Sequence, residues 1–142
     1  MTETVVRAKF LRDLGVLQDD LVRLGSMVDD AIRQSIDALR YRDTNLANNV
    51  IFGDEQINQL RFEIEDSCTK LLAKQQPLAT DLRIIVAVMN IVLDIERMGD
   101  HAAGIAKIAN EIGEEPPLKP LVDLPKMADI SRDMLRGSLE AF

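Results

Sequence analysis

Between Phe10 and Leu39 an apolar side chain returns at steps of three, four or seven residues, through Leu14, Leu17, Leu21, Leu24, Val28 and Ile32. A strand cannot use that spacing, but on an α-helix it draws a single stripe. Asp13, Asp19, Arg23, Asp30, Arg33 and Asp37 fall mostly off the stripe. The pattern predicts one helix from about Val6 to Arg42. Gly15 and Gly25 each lower its propensity by about 1 kcal/mol, so a helix of this length keeps its shape by packing. The rest of the chain must therefore supply apolar surfaces to cover it.

It does so in the same idiom. Arg42-Asp43-Thr44-Asn45 offers polar capping residues at a turn. A second helix follows from about Leu46 to Lys74, with Leu46, Val50, Ile57, Leu60, Ile64, Cys68 and Leu71 on its stripe. Cys68 sits in that stripe and reads as a small buried apolar residue rather than a reactive or metal-bound thiol. Gln75-Gln76-Pro77 ends the helix, because proline disfavours helical geometry in the residue before it. Thr80 is suited to cap a third helix, with Asp81 at its positive end, running to about Ile112 before Gly113. Pro116, Pro117 and Pro120 mark a linker. Asp123 to Phe142 is helical again, with Leu124, Met127, Ile130, Met134, Leu135 and Phe142 on a less regular face.

Two long helices joined by a short turn run antiparallel, and a third returns across another short loop. The expected fold is all-α: an antiparallel three-helix bundle over residues 1–113, a proline-rich linker over 114–122, and one further helix over 123–142. That last helix has an apolar face and no evident neighbour, as if a second bundle were beginning. Proline in the linker would hold it away from the first bundle, so exchange between copies, and hence a homo-oligomer, is expected.

Several function classes are disfavoured. A net charge of -7 argues against a nucleic-acid backbone as the main ligand. The most apolar run, Ile84 to Leu93, is interrupted by Asn90 and too short for the ~20 residues of a membrane span. Met1 to Lys9 has no apolar signal core, and a single cysteine cannot form an internal disulfide. A cytoplasmic setting follows as the expectation. No nucleophile elbow, phosphate loop or zinc motif is visible, so no catalytic residue is assigned.

The third helix carries what chemistry there is. On a helical wheel Leu82, Val86, Met89 and Leu93 stack into one stripe whose next members are Glu96 and Asp100. Ile84, Val88, Ile91 and Ile95 form a second apolar face, with Arg83, Asn90, Asp94, Arg97 and His101 between the two. Apolar on two sides, this helix is expected to lie inside, sandwiched between neighbours. Glu96 and Asp100, four apart, repel. A hard cation such as iron or a divalent ion would offset that, and so would Arg97 or a basic partner surface. Spacing alone leaves a salt-bridged or solvated face open beside a metal site. A carboxylate-bridged di-iron enzyme needs Glu-x-x-His, and the residue three before His101 is Met98, so that reading fails.

Gln75-Gln76-Pro77-Leu78-Ala79-Thr80-Asp81-Leu82-Arg83, followed at the right distance by Asp94-Ile95-Glu96-Arg97-Met98-Gly99-Asp100-His101-Ala102, resembles the signature of the PhoU family. Gly53-Asp54-Glu55 with Ile57-Asn58 is similar to that family as well. The resemblance spans about Leu11 to Ile112. It implies a PhoU-like fold of two tandem three-helix bundles, some members binding iron clusters or other metals at an acidic motif in each. The matching positions here are Glu96 and Asp100, with Asp94 and His101 as nearby candidates. Asp81, Arg83 and Arg97 match motif positions without an assigned role. The resemblance also implies a cytoplasmic, non-enzymatic regulator beside the phosphate ABC transporter. It would contact the transporter's ATPase subunit and the phosphate sensor kinase, restrain uptake, and keep the kinase silent when phosphate is plentiful. The second bundle is represented only by its first helix, so a shortened chain is expected, with the second acidic motif missing. Without the resemblance, the residues support a helical carboxylate metal-binding protein or a plain structural bundle.

Overall fold

The computed structural model describes residues 2–74 and 77–142. They form four helices: α1, Glu3–Tyr41; α2, Thr44–Lys74; α3, Ala79–Ile112; and α4, Asp123–Ala141. Among the described residues there is no strand. No helix among them is long and apolar enough to cross a membrane.

The stripe read from Phe10 to Leu39 is the buried face of α1. Leu17, Leu21, Leu24 and Val28 on it are almost wholly removed from solvent. Arg42 closes the helix in the left-handed conformation at φ 54°, its backbone N–H bonded to the carbonyl of Ala38. Asp43 accepts the backbone N–H of Leu46 at 3.0 Å and so caps α2. Gly113 ends α3 at φ 62°, a conformation that favours glycine. Gln75 and Gln76, two of the three residues expected to stop α2, lie outside the described residues. The cap of α3 differs from expectation: the helix begins two residues earlier, with Leu78 rather than Thr80 as its N-cap and no side-chain cap bond.

α1, α2 and α3 each pack on the other two, and α4 packs on α1. The hydrogen bond between Asn48 and Asn110 and the ion pair between Arg61 and Glu96 set α2 antiparallel to α3. Arg7 pairs with Asp81 near one end of α1, while Val28 meets Gly99 further along, so α1 and α3 run in the same sense.

The third helix is not sandwiched as its periodicity suggested. Its buried line is Ile85, Val88, Val92, Ile95, Gly99, Ala102, Ala106 and Ala109, whereas Leu82, Val86 and Leu93 are exposed. The internal element is α1, the one helix in contact with all three others. Small residues along the second half of α3 let it approach its neighbours closely. A Cβ on Gly99 would already stand 3.4 Å from side-chain carbons of Ile57 and Val28, so a side chain larger than alanine would collide.

The final helix does not stand apart. Ala128 and Leu135 are buried, and Leu139 lies against Gly25, where a Cβ would strike its side chain. Asp29 of α1 accepts hydrogen bonds from Arg132 at 2.8 Å and from Arg136 at 3.0 Å. The linker thus returns α4 to its own bundle. Met127, Ile130 and Met134 remain exposed.

Candidate functional site

On α2, Asp54 and Asn58 are one helical turn apart; on α3, so are Glu96 and Asp100. Antiparallel packing brings these two pairs onto one stretch of the α2–α3 seam. Gly99 opens the space beside them: the Cβ it lacks would lie 3.8 Å from Asp54 Oδ1. Arg61, one turn beyond Asn58, reaches Glu96 at 3.9 Å while sharing itself with Glu65 at 3.1 Å.

The electrostatics of this seam are incomplete. Burial and the neighbouring Asp100 hold the Asp54 carboxyl above the ordinary range, against the pull of Lys107. Glu96, its side chain 13% exposed, is likewise raised by burial and Asp100, with Arg61 opposing. Each carboxyl is thus easier to protonate than in water, first because burial penalises its charge and then because the neighbouring Asp100 repels it. In addition, Asp54 Oδ1 and Asn58 Oδ1 are buried without a hydrogen-bond partner, a costly arrangement for polar oxygens.

Carboxylate and amide oxygens are the donors that hard cations prefer, and the orphaned oxygens of Asp54 and Asn58 face no competing partner. By donor chemistry the residues fit such an ion. Among the described residues, however, no three or more His, Cys, Asp or Glu side chains converge closely enough to enclose one in their present rotamers. Seating an ion would therefore need side-chain rotation within the seam.

The other positions singled out in the sequence lie elsewhere. Asp94 is on the far side of α3, lining a cavity of about 420 Å³ with Ile91, Met98, Met134 and Phe142. His101 is exposed, a wheel step of about 100° from Asp100. Arg83 and Arg97 are exposed. Asp81 is 5% exposed and tied to Arg7 by an ion pair; that bond holds its carboxyl below the ordinary range, outweighing burial. Its place is a clamp between the start of α3 and the start of α1. Cys68 is fully buried, and burial, aided by Glu65, pushes its thiol up to about 11, which suppresses the reactive thiolate.

Sequence reasoning passed over Asp54 and Asn58 as site residues. Their signal was present: the same four-residue spacing as Glu96 and Asp100, on a helix already predicted to run antiparallel to α3.

A family model described as the PhoU domain matches residues 21–109, which include all four seam residues. The chain is 38% identical over 134 residues to a phosphate-specific transport system accessory protein PhoU homolog of Aquifex aeolicus, covering 94% of this chain and 61% of that protein. It is 30% identical over 137 residues to the accessory protein PhoU of Escherichia coli K12, covering 96% of this chain and 57% of that one. Its fold superposes on the crystal structure of PhoU from Pseudomonas aeruginosa with a TM-score of 0.88 at 32% identity, over 94% of this chain and 64% of that one. For the phosphate transport system regulatory protein PhoU from Streptococcus pneumoniae the TM-score is 0.84 at 35% identity, over 94% and 62%. The chain spans about three fifths of the length of these relatives.

Proposed function

The chain belongs to the PhoU family, and from that premise we propose that it is an accessory regulator of phosphate uptake, working through protein contacts rather than catalysis. The observation that carries this reading is the family match over residues 21–109 together with the close superposition on two PhoU structures. In this reading residues 1–113 are one family repeat built as a three-helix bundle, and residues 123–142 are the opening helix of a second. The protein acts in the cytoplasm, against the ATPase subunit of the phosphate transporter and against the phosphate sensor kinase, and its effect is negative. It lowers uptake and holds the kinase silent when phosphate is abundant.

The seam between α2 and α3 adds a metal to this proposal. Asp54, Asn58, Glu96 and Asp100 would hold iron or a divalent cation, whose charge would balance the uncompensated carboxylates. Support comes from the two orphaned oxygens and from the raised carboxyl groups of Asp54 and Glu96. A helical metal-binding protein without a signalling role shares these observations and separates from the first reading by its partners.

Expression of the chain in phosphate-replete bacteria lacking their own PhoU tests the proposal. Restored silencing of phosphate-starvation genes, with the tagged chain recovering the transporter ATPase or the sensor kinase, is the expected result. A folded, well-expressed chain that neither silences nor recovers either protein would refute it.

A further inference from the structure

Arg61 serves two carboxylates with one guanidinium. Its Nε donates to Glu65, one turn further along α2, at 3.1 Å. Its Nη1 stands 3.9 Å from Glu96 Oε1 on α3. The first contact is a hydrogen bond; the second is too long to be one. Phe62 lies against the same guanidinium, its ring centre 4.9 Å from Cζ, near enough for a cation–π attraction. Two of these three partners belong to α2 itself, so Arg61 is held along its own helix and only leans toward the seam.

That division matters for Glu96. Arg61 is the cation that opposes burial and Asp100 at its carboxyl, and at 3.9 Å the opposition is partial. A full swing of the guanidinium onto Glu96 would complete the pair and take up the oxygen that a cation in the seam would need. Glu65 and Phe62 restrain that swing without forbidding it. The side chains of Arg61 and Glu65 are 24% and 30% exposed, and an ion pair so near water is a weak tie. Their order along the helix, base before acid, is also the less favourable one for a four-residue spacing.

We propose that Arg61 is a built-in competitor for the metal of the α2–α3 seam, and that Glu65 sets its strength by holding it off Glu96. This tuning rests on the seam's being a metal site, as proposed above. Without metal, Arg61 offsets part of the Glu96 charge. A guanidinium and a divalent ion sharing that carboxylate repel each other, so Arg61 withdraws to Glu65 and Phe62 as Glu96 turns to its new partner. Arg61 and Glu65 are positioning residues here; neither is a metal ligand.

The test is calorimetric titration of the metal-stripped full chain with Mn2+ at neutral pH and constant ionic strength. Arg61→Gln should bind Mn2+ about three- to twentyfold more tightly than the parent, a gain that damage to the fold would not produce. Arg61→Lys, which keeps the charge but loses the planar fork, should tighten binding less. Glu65→Gln frees Arg61 for Glu96 and should weaken binding about two- to fivefold. In the Arg61→Gln background the same change at Glu65 should alter affinity by at most about 1.5-fold. That difference separates an action through Arg61 from the simple loss of an acidic charge. Mn2+ binding that emerges only when Arg61 is replaced would also support the competitor. A parent chain that binds Mn2+ no more weakly than Arg61→Gln, or an equal loss from Glu65→Gln in both backgrounds, would overturn the competitor and leave the metal site standing. Absence of Mn2+ binding in both the parent and Arg61→Gln would remove the metal site, and the competitor with it.

Discussion

Replacing Asp29 by alanine should release α4 from the bundle while leaving the other three helices intact. Asp29 is a shared acceptor: Arg132 approaches it at 2.8 Å and Arg136 at 3.0 Å. The side chains of Asp29 and Arg132 are 18% and 16% exposed, and that of Arg136 is 51% exposed. A charge-assisted bond contributes about 1.5–3 kcal/mol when well shielded, and the residual water around this one reduces it to about 1–2 kcal/mol. The more exposed Arg136 adds less than about 1 kcal/mol. The apolar side of the same contact is small, with Leu135 contributing about 1.5–3 kcal/mol before its ordering cost. Polar and apolar parts are comparable, so losing about 1–3 kcal/mol removes much of the docking energy. Once released, a helix of 19 residues is marginal in water, and its amides exchange. Hydrogen exchange should therefore accelerate across α4 about 5- to 150-fold, with no change around Leu21, Ile64 and Val92. Asp29→Asn, which keeps an acceptor but loses the charge, should fall between. The hydrogen bonds from Arg132 and Arg136 overcome burial and hold the Asp29 carboxyl below the ordinary range. This stabilisation is present above the unfolded carboxyl's pKa, about 3.9, and is lost as pH falls through the lower folded value. Protection of α4 should weaken in that acid window before the core opens. Unchanged α4 exchange in Asp29→Ala, or equal acceleration in every helix, would refute the reasoning.

Four further outcomes follow from the geometry. In metal-free protein at neutral pH, Asp54→Asn should raise stability by about 0.5–1.5 kcal/mol, or a few degrees in Tm, because the folded state favours the protonated acid; the gain should shrink as pH falls through the raised folded pKa and be gone below the unfolded one, about 3.9. Glu96→Gln with Asp100→Asn should abolish bound iron or divalent metal in elemental analysis without altering the helical circular dichroism, and retention of metal would place the ion elsewhere. Cys68 should resist thiol reagents at pH 8 until the chain unfolds, with rapid labelling of the native protein as the contrary result. Sedimentation at high protein concentration should show self-association through the exposed α4 face, weakened by Met127→Gln with Met134→Gln; a monomeric parent chain would count against the oligomer.

The stripes of α1 and α2 were legible because large aliphatic side chains mark the buried face at nearly every turn, from Phe10 to Leu39 and from Val50 to Leu71. On α3 the same method picked an exposed line, Leu82, Val86 and Leu93. The buried line there passes from Ile85 and Val92 into Gly99, Ala102, Ala106 and Ala109, where small size allows close approach but hydrophobic contrast is weak. Glu96 and Asp100 were visible as a pair. Asp54 and Asn58 join them only through the α2–α3 register, which no spacing within one helix reveals. The docking of α4 depends on Asp29 meeting Arg132, 103 positions away, and local periodicity carries no such information.

The place of α1 in the molecule has a consequence for how the chain is made. Among the described helices α1 contacts the other three, yet it is synthesised before them. At synthesis rates of about 5–20 residues per second, Arg7 waits on the order of several seconds for Asp81, 74 positions later, to be synthesised. Throughout that interval Leu17, Leu21, Leu24 and Val28 have no completed core to enter. The nascent chain thus presents its longest apolar surface early and covers it late. Nascent-chain binding factors that recognise such surfaces should engage α1 first and depart only after α3 has emerged.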